Sequence, residues 1–71
     1  MSSLADKEKG FKGTVLEVDT GDERILKKLM AMGVFPGSSI ELIQNFPSYV
    51  FQVGYTQVAV DEKIASTIVV K

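Results

Sequence analysis

The chain has 71 residues, of which 45% are hydrophobic and 24% charged, a balance typical of one small globular domain. It contains neither cysteine nor histidine, which excludes disulfides, thiolate nucleophiles, zinc ribbons and histidine bases. The formal net charge of −1 gives no electrostatic basis for binding nucleic acid or an anionic membrane surface.

The first residues are polar and non-periodic apart from Leu4 and Ala5. We therefore expect residues 1–9 to be a mobile N-terminal lead-in and residues 10–71 to form the folded domain. No apolar run approaches the roughly 18 residues of a membrane span, and the N-terminus lacks the apolar region of a signal peptide. These features and the absence of cysteine predict a cytoplasmic protein that does not insert into a membrane.

A first strand is predicted between residues 11 and 19, which are rich in β-forming side chains. Its alternation is imperfect, because Leu16 and Val18 share one face while Val15 lies on the other. Either both faces of the strand are covered or a bulge near Gly13 shifts the register.

The clearest local pattern is a Thr-x-x-Glu capping box, with Thr20 as the N-cap of a helix and Glu23 at its third position. The helix then carries Ile25, Leu29 and Met32 on one apolar stripe. Its two lysines lie on the outer side, so we expect a short amphipathic helix.

The end of this helix is equally well marked. Gly33 suits the left-handed residue that follows a helix, which would place Val34 in contact with Leu29 in a Schellman motif. Pro36 prevents continuation of the helix. Because Gly37 follows it, the Pro-Gly order predicts a type II turn.

The rest of the chain is predicted to be β-structure. Gly54 with the following tyrosine suits a type II′ hairpin, and Asp61 could cap a single helical turn. The predicted strands share β-branched and aromatic residues, and they lie at about 39–44, 49–53, 56–60 and 67–70. Five short strands with one helix predict a mainly β fold that closes, or nearly closes, into a small barrel.

Several motifs together resemble the FeoA family. The central one, L-x-x-M-G-V-x-P-G, runs from Leu29 to Gly37. The flanking motifs are the Gly13–Val15 strand, the Ile40–Ile43 strand, and a tail with Val58, Ala59, Val60, Ala65, Ile68 and Val70. The resemblance covers roughly residues 10–71, and it depends on the order and spacing of motifs that are individually weak.

The resemblance implies an SH3-like β-barrel with a helix inserted after the first strand. It also implies a small cytosolic accessory or regulatory protein of bacterial ferrous iron uptake, which docks on the membrane transporter FeoB through its cytosolic G-protein domain. Ferrous iron would be the ion that this partner handles, with no cofactor of the chain's own. The chain departs from the family at Asp61, where a basic residue is common, and at residues 45–48, where the family has a longer loop.

A candidate docking patch lies on and just after the helix. It combines a basic pair with flexible and aromatic apolar groups, a composition typical of an interface with a polar rim. The residues are Lys27, Lys28, Met30, Val34 and Phe35. A solvated helix face beside core residues is the competing interpretation.

A second hypothesis, direct binding of a divalent transition metal by a carrier or sensor, would use Asp19, Asp22 and Glu23. Oxygen-only ligands suit Mg²⁺ or Ca²⁺ better than Fe²⁺, and helix capping explains the same residues, so we favour capping.

A third hypothesis is that aromatic strands stack nucleic-acid bases, as in other small barrels. Phe46, Tyr49, Phe51 and Tyr55 would supply the rings, but residues 46–60 contain no lysine or arginine to hold a backbone. We therefore expect these aromatics in the core and no nucleic-acid partner. No catalytic constellation is present, which favours a protein that is not an enzyme, and self-association stays open.

Overall fold

The computed structural model describes residues 2–71, which form one six-stranded antiparallel sheet and two helices. In chain order the elements are β1 (Ser2–Ser3), a 3-10 turn (Leu4–Asp6), β2 (Lys12–Val18), α1 (Glu23–Ala31), β3 (Ser39–Gln44), β4 (Tyr49–Val53), β5 (Thr56–Val60), α2 (Glu62–Ala65) and β6 (Ile68–Val70). The strand order across the sheet is β1-β6-β2-β3-β4-β5. No helix in this part of the chain has the length and apolar character needed to cross a membrane.

Strand β2 organises the fold because it belongs to both halves of the sheet. Its beginning, Lys12–Thr14, pairs with β3, whereas its end, Val15–Val18, pairs with β6. The register shifts between Val15 and Glu17, so the bulge lies at Leu16 rather than near Gly13. The predicted mainly β, SH3-like architecture is confirmed, but the sheet is not closed, because β1 and β5 are its edges.

Residues 2–4, which lie within the predicted mobile lead-in, pack against the folded domain in the structure. Ser2 and Ser3 pair with Val70 and Val69 of β6, and they add the sixth strand. Leu4 is completely buried within the core. Burial of the Leu4 side chain contributes roughly 1.5–3 kcal/mol, and together with the pairing of Ser2 and Ser3 to β6 it holds this segment on the sheet.

Helix α1 begins two residues later than the capping box predicts. The N-cap is Asp22, whose carboxylate accepts a hydrogen bond from the N–H of Arg24 at 2.9 Å. Thr20 lies two residues before the N-cap, and its hydroxyl accepts a hydrogen bond from the N–H of Asp22 at 3.1 Å. Glu23 is thus the first helical residue, where its charge still complements the positive end of the helix dipole.

The end of α1 is the predicted Schellman motif. The N–H of Val34 donates to the carbonyl of Leu29 at 2.9 Å, and the N–H of Gly33 donates to Met30 at 3.0 Å. Gly33 has a φ of 97°, as the left-handed residue of this motif requires. Gly37 has a φ of 96°, which confirms the type II turn.

The core lies between the two halves of the sheet and beneath α1. Phe51 is its largest fully buried side chain, and Leu29 is the one residue of α1 that is fully buried. The buried cluster comprises Leu4, Val15, Leu29, Val34, Ile40, Leu42, Phe51, Val53, Val58, Ile68 and Val70.

The short connections follow the predicted turn chemistry. Gly54, with a φ of 60°, precedes a tyrosine in the two-residue hairpin between β4 and β5, as expected for a type II′ turn. Asp61 caps α2, because its carboxylate accepts from the N–H of Ile64 at 2.8 Å.

Candidate docking surface

The predicted docking patch is exposed in four of its five residues. Lys27 and Lys28 point into solvent from α1, and Met30 and Phe35 are 49% and 41% exposed. Val34 does not belong to this surface, because it is fully buried. Val34 follows the glycine of the Schellman motif and donates its N–H to the carbonyl of Leu29, and a hydrophobic contact of this residue with the end of the helix frequently accompanies that motif.

An apolar groove runs beside this patch, between α1 and β5, with a volume of about 210 Å³. From the helix it is lined by Ile25, Leu29 and Met32, and α2 adds Ile64. The wall on the sheet side is formed by residues 57–60, four consecutive residues of β5. Successive side chains of a strand point to opposite faces, so a wall of four consecutive residues is expected at the edge of a strand, and β5 is an edge strand of the sheet.

Among the described residues, Lys28 is the one charged side chain that lines the groove. Within residues 2–71 the one side-chain ion pair joins Arg24 Nε to Asp22 Oδ1, at 3.6 Å. The Lys28 ammonium therefore has no carboxylate partner in the described structure. Lys27, one residue earlier on the helix, is exposed but does not line the groove.

A wider depression continues from the groove towards the tip of the β4–β5 hairpin. Its volume is about 490 Å³, and Met32 lines both features. Phe35 lies on one side of this depression and Gly54 and Thr56 lie on the other. The exposed aromatic ring of the predicted patch is therefore continuous with the groove along α1 and β5.

The three carboxylates of the alternative metal site are not brought together. Residues 2–71 contain no group of three or more acidic side chains placed to hold a metal ion. The Asp22 carboxylate instead caps α1 and faces Arg24. Of the three residues, Asp22 makes the hydrogen bond of a helix cap, and Glu23 lies in the first turn of α1.

The aromatic side chains divide between the core and the surface. Phe51 is fully buried, and Tyr49 packs against the core while its hydroxyl donates to the carbonyl of Ala5 at 3.2 Å. Phe46 and Tyr55 were expected in the core, but they are 81% and 105% exposed. Both lie in the loops that flank β4, where the chain reverses and no neighbouring strand covers them.

Sequence reasoning missed the groove because its two walls are distant in sequence. Ile25 and Met32 were assigned to the apolar stripe of α1, which is correct, but they are only partly buried. The exposure of Gln57 and Ala59 in alternation with buried Val58 was visible as a pattern, and it marks β5 as a strand with one solvent face. That β5 is also an edge strand depends on the strand order, which no local pattern encodes.

Comparisons with known proteins agree with this fold. The sequence profile of the FeoA domain matches residues 2–71. A crystal structure of an iron uptake regulatory protein, FeoA, is 26% identical, superposes with a TM-score of 0.87, and is matched over 99% of this chain and 93% of its own. FeoA from Stenotrophomonas maltophilia in complex with zinc is 19% identical with a TM-score of 0.89, and the match covers 100% and 91% of the two chains. It is described as a prokaryotic SH3 domain protein and a candidate activating factor of bacterial ferrous iron transport.

A similar domain occurs within larger proteins. A manganese-dependent transcriptional repressor in complex with manganese is 17% identical with a TM-score of 0.90, and 97% of this chain corresponds to 35% of the repressor. At that identity the likeness shows the shared fold alone. The comparison with curated proteins finds no significant match. Because the family profile spans residues 2–71, this chain belongs to the FeoA family, whose members are associated with ferrous iron transport.

Proposed function

We propose that this protein is a non-enzymatic accessory protein of bacterial ferrous iron uptake, which docks from the cytoplasm on the G-protein domain of a FeoB-like membrane transporter. The observation that carries the proposal is the FeoA match over residues 2–71, the whole described chain. Ferrous iron is then the substrate of the partner, and the chain itself contributes a binding surface.

The surface along α1 supports a docking role. Lys27, Met30 and Phe35 combine exposed charge with exposed apolar area, and the groove beside them adds apolar side chains at its base. A polar rim around a less polar centre is the usual composition of a protein interface. Contiguous exposed apolar groups on a small domain are also a common mark of an interaction site.

The distribution of ionisable groups supports a role without catalysis. No polar or charged residue within 2–71 is buried. Catalytic acids, bases and nucleophiles are usually found where burial and close neighbours shift their pKa values. The groove contains only Lys28 as an ionisable group, so no acid–base pair faces a substrate there.

Regulation would work through unequal affinity for states of the transporter. A protein shifts a conformational equilibrium only by the difference in its affinity for the two states. If it binds one nucleotide state of the G-protein domain more tightly, the nucleotide must be bound more tightly by the same factor in its presence.

Calorimetric titration of the isolated G-protein domain tests this proposal. The domain should be prepared without nucleotide, with GDP and with a non-hydrolysable GTP analogue. We expect saturable binding whose dissociation constant differs between these states. Absence of binding in every state, together with unchanged iron uptake after deletion of the gene, would contradict the proposed function.

An anaerobic Fe²⁺ titration followed by NMR separates this function from direct metal binding. We expect no saturable shift at Asp19, Asp22 or Glu23, because Asp22 is engaged in capping α1. Saturable shifts confined to those three residues at micromolar Fe²⁺ would favour a carrier or sensor instead.

A further inference from the structure

Strand β5 has a free backbone edge. Among residues 2–71 it is the last strand in the sheet order, and its one partner there is β4. In a two-residue hairpin the residues next to the turn, here Val53 and Thr56, form a hydrogen-bonded pair, and pairs alternate from there. The backbone groups of Gln57 and Ala59 therefore point away from β4, whereas those of Val58 point towards it.

The outward groups of β5 have no other backbone partner in the described chain. Neither Gln57 nor Ala59 takes part in a backbone hydrogen bond outside the strand ladder. Both residues are exposed, and both line the groove that α1 forms with this edge. Two N–H groups and two carbonyl groups thus face an apolar channel, which is the arrangement that accepts an added strand.

The dimensions and the charge of the groove limit what it can accept. At about 210 Å³ it is smaller than the pockets that hold most small ligands, but it has room for side chains of a peptide. Its apolar wall comes from Ile25, Leu29 and Met32, and its one charge is the unpartnered ammonium of Lys28. An apolar segment with a carboxylate complements both features.

We propose that the groove between α1 and β5 binds an extended segment of a protein partner, which adds to the β5 edge as a further strand. The segment matches the five residues of β5, places alternate apolar side chains against Ile25 and Met32, and directs a carboxylate to Lys28. This inference rests on the proposed docking function and assigns it to a recognition mode in which backbone hydrogen bonds hold the partner and side-chain pockets select it.

Two variants, each with a matched control, test the site against the transporter's G-protein domain. Ala59→Pro removes an N–H that does not pair with β4 and places a ring across the edge, which edge strands tolerate. Ala59→Thr at the same position keeps the N–H. Lys28→Glu reverses the charge in the groove, and Lys9→Glu makes the same change at an exposed lysine that lines neither the groove nor the depression beside it.

We expect Ala59→Pro to weaken binding by about tenfold or more, since a hydrogen bond and the close approach of the strands are both lost. Lys28→Glu should weaken binding by about threefold to tenfold, in a salt-dependent manner. Both controls should bind within about twofold of the unchanged chain. NMR spectra of the free variants establish that each is folded, and the charge variants give a result even if the proline variant unfolds.

The outcomes separate the two proposals. Equal binding by all folded variants would overturn the added strand while leaving the docking function intact. No binding by the unchanged chain would contradict the docking function, and the inference with it. If sedimentation shows that the chain alone forms dimers that Ala59→Pro abolishes, the occupant is a second copy and the proposal is overturned.

Discussion

Truncation of Leu4 tests how the N-terminal segment contributes to the fold. The side chain is completely buried, and among residues 2–11 it is the one fully buried member of the core cluster. Leu4→Ala removes most of this side chain and leaves a cavity that the sheet cannot readily fill. The comparison variant is Leu26→Ala, at a half-buried leucine outside the core cluster.

The expected loss is large relative to the stability of so small a domain. Leucine-to-alanine changes in a core cost about 2–5 kcal/mol, so about 3 kcal/mol is a central expectation for Leu4→Ala. A 71-residue domain has a free energy of unfolding of about 4–10 kcal/mol at typical values per residue. The loss corresponds to a fall in melting temperature of about 12–24 °C. Leu26→Ala should cost at most about 1 kcal/mol.

Urea denaturation followed by circular dichroism measures both variants. The slope of the free energy against urea should stay unchanged, so that the shift of the midpoint reports stability alone. If Leu4→Ala were within about 0.5 kcal/mol of the unchanged chain, Leu4 would not be part of the core and residues 2–6 would not be packed as described.

Changes at the two ends of α1, and at Gly13 in β2, give further predictions. Gly33→Ala should reduce the free energy of unfolding by about 1–2 kcal/mol, because this position has a positive φ. Gly21→Ala should change it by no more than about 0.5 kcal/mol, because Gly21 has an ordinary φ and open space around it. Thermal unfolding compares the two variants, and equal effects would contradict the left-handed cap. Asp22→Ala should cost about 1 kcal/mol through loss of the N-cap, and more than Thr20→Ala, which loses only the preceding hydrogen bond. If urea denaturation showed a larger loss of stability for Thr20→Ala than for Asp22→Ala, Thr20 would be the N-cap instead. Gly13→Ala should destabilise strongly, because a Cβ there would collide with the carbonyl of Lys71, and a folded variant of unchanged stability would refute that contact.

Features encoded by a few adjacent residues were predictable from the sequence. The Schellman motif needs only Gly33 after an apolar stripe, and the type II turn needs only the order of Pro36 and Gly37. The start of α1 was misplaced because Thr20 and Asp22 are both good capping residues, two positions apart. The local sequence therefore predicted that a capped helix starts here more reliably than it predicted the residue at which the helix starts.

Features that depend on distant contacts were not predictable in the same way. Leu4 is one apolar residue among polar neighbours, and its burial depends on a pairing with β6 at the other end of the chain. Likewise, the aromatic pattern of β4 gave Phe51 correctly but not the exposure of Tyr55, which lies at the hairpin tip. Within the docking surface, the exposed lysines were predicted, whereas the groove required the relative placement of α1 and β5.

Amide hydrogen exchange of the chain, alone and bound to the transporter's G-protein domain, tests the docking surface most directly. The account predicts that the amides of Gln57 and Ala59 exchange rapidly in the free chain and become protected in the complex, while that of Val58, paired with β4, is protected in both. Protection that leaves β5 unchanged and falls on the outer face of β2 and β3 would contradict it.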